Sequence, residues 1–126
     1  MMQRLPGFLA ALILCVMVAP APAHHSGAMF DRTKTVELVG TLKQYQFTNP
    51  HVWIEMLVPG KSGETQWSIE GEGPSIMARM GLGPSVMKAG DKVTVKAHPL
   101  RDGRPGGSFI SITLPSGKVI APPVRL

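Results

Sequence analysis

The sequence predicts an all-β domain carrying one short helix. Three observations predict it. Five segments between Val36 and Leu114 alternate apolar with polar residues, and one short stretch beginning at Pro74 has helical spacing. Glycine and proline together supply 26 of the 126 residues, which leaves little room for long helices. With 44% hydrophobic and 17% charged residues, the chain has the make-up of one small globular domain, and its size excludes a large multi-domain enzyme.

The first 23 residues read as an address. Gln3-Arg4 is a short basic start, Phe8 to Ala19 an apolar run of twelve, and Pro20-Ala21-Pro22-Ala23 places alanine at the −3 and −1 positions. This is the pattern of a secretory signal peptide cut between Ala23 and His24, so export of the mature chain is expected. Twelve residues span only ~18 Å as a helix against a ~30 Å hydrocarbon core, so no transmembrane helix is expected in the mature protein. Leu14 before Cys15, with apolar sequence running on, argues against a lipid anchor.

Cleavage leaves 103 residues beginning at His24, with twelve basic against eight acidic side chains, a net of +4. The only cysteine leaves with the signal, so the core holds the mature domain together without disulfides. Residues 24–35 form an N-terminal segment, 36–120 the β domain and 121–126 a tail.

In the first strand, Val36 to Phe47, Val36, Leu38 and Leu42 share a face, and Gly40 marks a bend or bulge. Thr48-Asn49-Pro50 is a turn. The second strand, His51 to Val58, turns Val52, Ile54, Met56 and Val58 inward and His51, Trp53 and Glu55 the other way. A hairpin loop, Pro59 to Glu64, leads into Thr65–Glu70, where Trp67 and Ile69 lie together. Pro74 suits a first helical position, Ile76, Met77 and Met80 give the helix an apolar stripe, and Gly81 stops it. In the strand Lys92–His98, which follows the Ala89-Gly90-Asp91 turn, Val93, Val95 and Ala97 alternate with Lys92, Thr94 and Lys96. A mobile loop, Arg101 to Gly107, is expected before the strand Ser108–Leu114, in which Ile110, Ile112 and Leu114 face one way. Lys118 to Ile120 can add a short extra strand.

Three strands, a helix and two strands are the element order of the OB-fold, a five-stranded antiparallel Greek-key barrel. An open antiparallel sheet covered by one helix is the alternative.

Catalytic motifs are few. Gly60-Lys61-Ser62 ends like a phosphate loop, but Glu55 stands at its first glycine position, and no G-x-S-x-G or H-E-x-x-H occurs. Glu55, Glu70 and Glu72 could pair as acid and base, but they also suit solvated strand faces. Histidine is the exception. All four, His24, His25, His51 and His98, lie in the mature chain. A terminal His24 offers its free amine and its ring nitrogen to one metal, nitrogen donors that suit Cu(II), Ni(II) or Zn(II). His25 and His51 can add ligands and Met29 a soft one favouring Cu(I), while Met56, Met77, Met80 and Met87 read as packing. Nucleic acid, a common client of this barrel, is not expected. Trp53 and Trp67 are the only strong stacking residues, and the charge is modest and spread over loops.

His24-His25-Ser26, Phe30-Asp31, Thr48-Asn49-Pro50-His51-Val52-Trp53-Ile54, Lys88-Ala89-Gly90-Asp91 and Leu114-Pro115-Ser116-Gly117 carry a resemblance. The chain resembles the bacterial exported domain-of-unknown-function family 6152 over nearly all of its mature length. That resemblance implies a small periplasmic OB-like domain without an assigned activity. The recurring positions of the family fall on His24, His25, Ser26, Asn49, Pro50, His51 and Trp53, and the sequence departs from it between Gly81 and Ser85.

The function expected is thus a periplasmic, non-enzymatic binding module. Its ligand is a divalent metal, copper foremost, held by His24 with His25 and His51. The alternative is an envelope structural or protein-interaction module that meets a partner protein through Asn49, Trp53 and Trp67.

Overall fold

The computed structural model describes residues 26–123; the expected signal segment, His24, His25 and the last three residues lie outside it. Its strands are β1 (Val36–Gln46), β2 (Trp53–Gly60), β3 (Gly63–Glu70), β4 (Lys92–Pro99), β5 (Gly106–Thr113) and β6 (Val119–Ile120), with helix α1 (Pro74–Arg79) between β3 and β4. They form one sheet in the order β3-β2-β1-β4-β5-β6. A further pairing of β3 with β5 closes the first five strands into a barrel. The closing pair is parallel, Ser68 to Glu70 against Gly106 to Ser108, while the other ladders are antiparallel. The open-sheet alternative is therefore set aside.

β1 is the long strand that makes closure possible. Residues Val36 to Thr41 pair with β4, and Thr41 to Gln46 pair with β2. The strand must bend sharply where it changes partners, and Gly40 stands there against the Leu57 carbonyl. A register shift between Leu42 and Gln44 adds a second irregularity two residues on. Leu42 and the Lys88–Asp91 turn then hold each other, through Leu42 N to Asp91 O and Gly90 N to Leu42 O, both 2.8 Å.

The inward faces meet in a single core that includes Leu38, Leu42, Ile54, Met56, Val95 and Ile112. α1 closes one end with Met77, which is fully buried, whereas Ile76 is exposed. The expected three-residue apolar stripe thus narrows to Met77, with Met80 packed at its margin, because six residues make less than two turns.

β5 departs from the expected alternation. Its register against β4 slips between Lys96 and Ala97, so that Ser111 opposes Lys96 and Phe109 opposes Ala97. Ile110 is the extra residue and stays outside the core, while Phe109 packs against it. A bulge reverses the inward parity of everything beyond it. The loop expected from Arg101 to Gly107 is shorter, because Gly106 and Gly107 already belong to β5 and make the closing ladder. A Cβ on Gly107 would lie 2.7 Å from the His98 carbonyl oxygen, so this seam accepts only glycine.

Tyr45 ties β1 to the chain that follows α1, its hydroxyl donating to the Leu82 carbonyl at 2.6 Å. Burial pushes the phenol pKa up from 10.0 to about 12. A group whose folded pKa lies above its unfolded value stabilises fully below the unfolded pKa, and that contribution is lost as pH rises through the folded one. Tyr45 is the sole tyrosine, so its ionisation can be followed by tyrosinate absorbance. The expected midpoint is about 12 in the folded protein; a midpoint at 10.0 would contradict it. Tyr45→Phe should cost about 1 kcal/mol at neutral pH and flatten the loss of stability across the interval from 10.0 to about 12.

Candidate functional site

The segment before β1 is strapped across the outside of the barrel. Phe30 forms a bridge with Leu100, Asp31 N donates to Pro99 O at 2.8 Å, and Arg101 N donates to Met29 O at 2.9 Å. The Arg101 guanidinium reaches the Ala28 carbonyl at 3.2 Å, and His98 Nδ1 donates to the Lys34 carbonyl at 2.8 Å. The side-chain and backbone hydrogen bonds from Thr33 hold the Asp31 carboxyl below its usual range and fix the turn that leads into β1. Phe30 ends up 4% exposed.

Beside this strap lies His51. The β2–β3 ladder continues past its last paired residues, through Val52 N to Glu72 O and Gly71 N to Val52 O at 3.0 and 2.7 Å. Thr48 Oγ1 donates to the His51 carbonyl at 3.1 Å and closes the turn that contains the cis Asn49–Pro50 peptide. The imidazole is thereby laid along β3, with Nδ1 3.0 Å from the Gly71 carbonyl oxygen. A carbonyl only accepts, so Nδ1 carries the proton and Nε2 its lone pair in the neutral ring. Nε2 lies 3.6 Å from Oε1 of Glu70, whose side chain is one-tenth exposed. His51, Glu70 and Glu72 share a cleft of about 120 Å³ with Phe30, Arg32 and Phe109. Two carboxylates against one guanidinium favour a cation there.

The expected site residues fall as follows. His51 lies in this cleft; His24 and His25 precede the strap and lie outside the described residues. Asn49 is exposed in the turn. Trp53 and Trp67 stand on opposite faces of the β2–β3 ladder, Trp53 opposite Glu70 and Trp67 opposite Met56. Trp67 packs against the core, so a single surface presenting both rings is not formed. Trp53 instead lines an outer groove of about 480 Å³ with Met29, Leu100, Arg104 and Pro105.

Among the three glutamates, Glu55 is engaged by Ser68 Oγ at 2.5 Å and Gln66 Nε2 at 3.2 Å. Glu70 and Glu72, weighed in the sequence only as carboxylates for acid–base work, are the two that the fold brings into one cleft with His51. Glu70 is 8% exposed, although it sits on the face away from Ile69 that should be solvated. No signal in β3 itself announces this; Glu70 lines both the cleft and the neighbouring groove with Phe30, far away in sequence. Among the described residues, no group of three or more His, Cys, Asp or Glu side chains is arranged to hold a metal.

A closed five-stranded barrel with its helix between the third and fourth strands defines an OB-fold domain, here with a His–Glu cleft at its strapped edge. The chain belongs to the family of unknown function DUF6152, whose model matches residues 11–109. Two crystal forms of Rim1, a mitochondrial single-stranded DNA binding protein from S. cerevisiae, are similar in structure. Form 2 matches at TM-score 0.49 and 13% identity and form 1 at 0.50 and 11%, over 64% of this chain in each case and 92% and 91% of the Rim1 chains. At such identity the likeness is one of fold. No curated protein matches the chain in sequence. Among the described residues no helix is long and apolar enough to cross a membrane.

Proposed function

We propose that the protein is exported to the periplasm and serves there as a non-enzymatic binding module for a divalent metal ion, copper foremost, through His24 with His25 and His51. One observation carries this reading. Phe30 and Arg32 line the same cleft as His51, so the segment that follows the two terminal histidines in sequence packs beside that ring. The intervening Ser26–Met29 segment is a single 3-10 turn, a rise of only about 8 Å. Once the signal is removed, the terminal amine and the His24 ring can close on one metal within reach of this cleft.

The cleft, at about 120 Å³, is small beside the roughly 300–1,000 Å³ of organic-ligand pockets, which favours an ion over a substrate. Nucleic acid suits it poorly, because Glu55 and Glu70 flank Trp53 on the outer face and would repel phosphates. The groove at Trp53 supports a second reading, contact with an envelope protein.

Titrating Cu(II) into the protein beginning at His24, and into one extended by a single residue, tests the proposal. The extension turns the terminal amine into an amide, and an affinity loss of at least about tenfold is expected from losing a ligand. Equal affinities would remove the terminal chelate and leave the Trp53 groove as the better reading.

A further inference from the structure

The outer face of the β2–β3 ladder gathers chemistry that the His51 cleft does not use. Trp53 is half-buried there, with Gln46 opposite it on β1 and Glu70 opposite it on β3. Further along the same face the Ser68 hydroxyl donates to Glu55 at 2.5 Å. Gln66 donates to that carboxylate at 3.2 Å and accepts from Lys43 at 2.7 Å. One indole thus stands among amides, carboxylates and a hydroxyl that hold one another in place.

The groove of about 480 Å³ beside the indole adds an apolar rim from Met29, Leu100 and Pro105. Its volume falls within the roughly 300–1,000 Å³ of pockets for small organic ligands. Its charged groups are one carboxylate, Glu70, and one guanidinium, Arg104, a balance that suits a ligand without net charge. Glu70 keeps acceptor capacity although its side chain is nine-tenths buried, because His51 stands 3.6 Å away, beyond hydrogen-bond distance. Arg104 is steadied by Nε donating to Asp102 at 2.7 Å, which leaves its terminal amino groups as donors. The grooves beside α1 and at the β1 bend hold no aromatic ring.

A sugar needs this combination. A pyranose presents a face of C–H bonds that stacks flat on an indole, and an edge of hydroxyls, each donor and acceptor, that pairs with carboxylates, amides and guanidinium groups. A plain hexose leaves the apolar rim without a partner. An acetamido substituent brings a methyl group to it, with an N–H for a carboxylate and a carbonyl for a guanidinium. The position agrees, since an OB barrel takes oligomers across its second and third strands, beside the loops after the first and fourth. This groove runs from Trp53, Gln66 and Ser68 to Arg104 in the β4–β5 loop. We infer that the Trp53 groove binds an uncharged oligosaccharide bearing N-acetyl groups, with the indole as stacking platform and Glu70 and Arg104 as polar anchors. The inference goes beyond the metal reading, does not depend on it, and gives the groove an occupant other than a protein.

The experiment titrates the full mature protein with triacetylchitotriose, cellotriose and trigalacturonate, in a metal chelator so that the outcome is separate from any metal site. Cellotriose has the linkage of chitotriose with hydroxyls in place of acetamides, and trigalacturonate is an anionic trimer. In Trp67→Phe, Trp53 is the sole indole, and its emission should change saturably with triacetylchitotriose. Cellotriose should bind about tenfold more weakly through loss of the methyl and amide contacts, and trigalacturonate should not bind. By calorimetry, Trp53→Ala and Glu70→Gln should each weaken triacetylchitotriose at least about tenfold. Trp53→Tyr keeps a stacking ring and should restore most of the affinity, and it serves if the alanine variant fails to fold. Glu37→Gln, on the part of β1 that pairs with β4, should leave affinity unchanged. Equal binding of cellotriose or trigalacturonate, or unchanged affinity in Trp53→Ala or Glu70→Gln, overturns the inference. No saturable binding of triacetylchitotriose also overturns it and leaves the groove to a partner protein.

Discussion

Gly40→Ala is expected to lower the unfolding free energy by about 2–3 kcal/mol, the range of overpacking in a site that cannot relax. A Cβ at this position would overlap the Leu57 carbonyl oxygen and lie 3.0 Å from its carbon and 3.2 Å from Val58 Cα. All three atoms are backbone, so no rotamer change relieves the collision. The shift must come from β1 or β2, at the point where β1 leaves β4 and joins β2. Either movement loosens the ladders on both sides. Urea unfolding should show a lower midpoint with an unchanged slope. A loss below about 0.5 kcal/mol, the scale of ordinary surface substitutions, would mean that the bend at Gly40 absorbs a side chain freely.

Phe30→Ala should cost about 3 kcal/mol, the lower end for truncating a buried phenylalanine. The ring is 4% exposed and lies between the His51 cleft and the Trp53 groove, lining both. Its loss removes the apolar anchor of the strap and leaves the peripheral hydrogen bonds, from Asp31 to Pro99, from Arg101 to Met29 and Ala28, and from His98 to Lys34. Hydrogen exchange should therefore quicken at the amides of Asp31 and Arg101 well before those of β1 and β4. Unchanged exchange at both amides would contradict the assignment of Phe30 as the anchor.

Most of the barrel was legible in the chain. Alternation in β1, β2 and β4 marked the inward residues Leu38, Leu42, Ile54, Met56, Val93 and Val95, all buried as their parity required. β5 was misread because a bulge at Ile110 leaves no trace in a string of Ser-Phe-Ile-Ser-Ile, where either parity offers apolar residues. The glycines after Pro105 read as a loop for a similar reason: their composition signals flexibility, while their use is the close approach of β5 to β3 and β4. Of the site, His51 stood out by its chemistry and its place after the Asn49-Pro50 turn, whereas Glu70 was one of three carboxylates that the sequence could not tell apart.

What the chain determined by itself is the order of elements and their inward faces, because alternation and turn residues act between near neighbours. The tertiary structure alone decided the parallel closure of β3 on β5, the separation of Trp53 from Trp67, and the meeting of His51 with Glu70. Each of these depends on burial, and burial is set by what folds over a residue. Phe30 and Glu70 line one cleft from forty positions apart, and only the folded chain brings that cleft, and the His–Glu pair in it, into being.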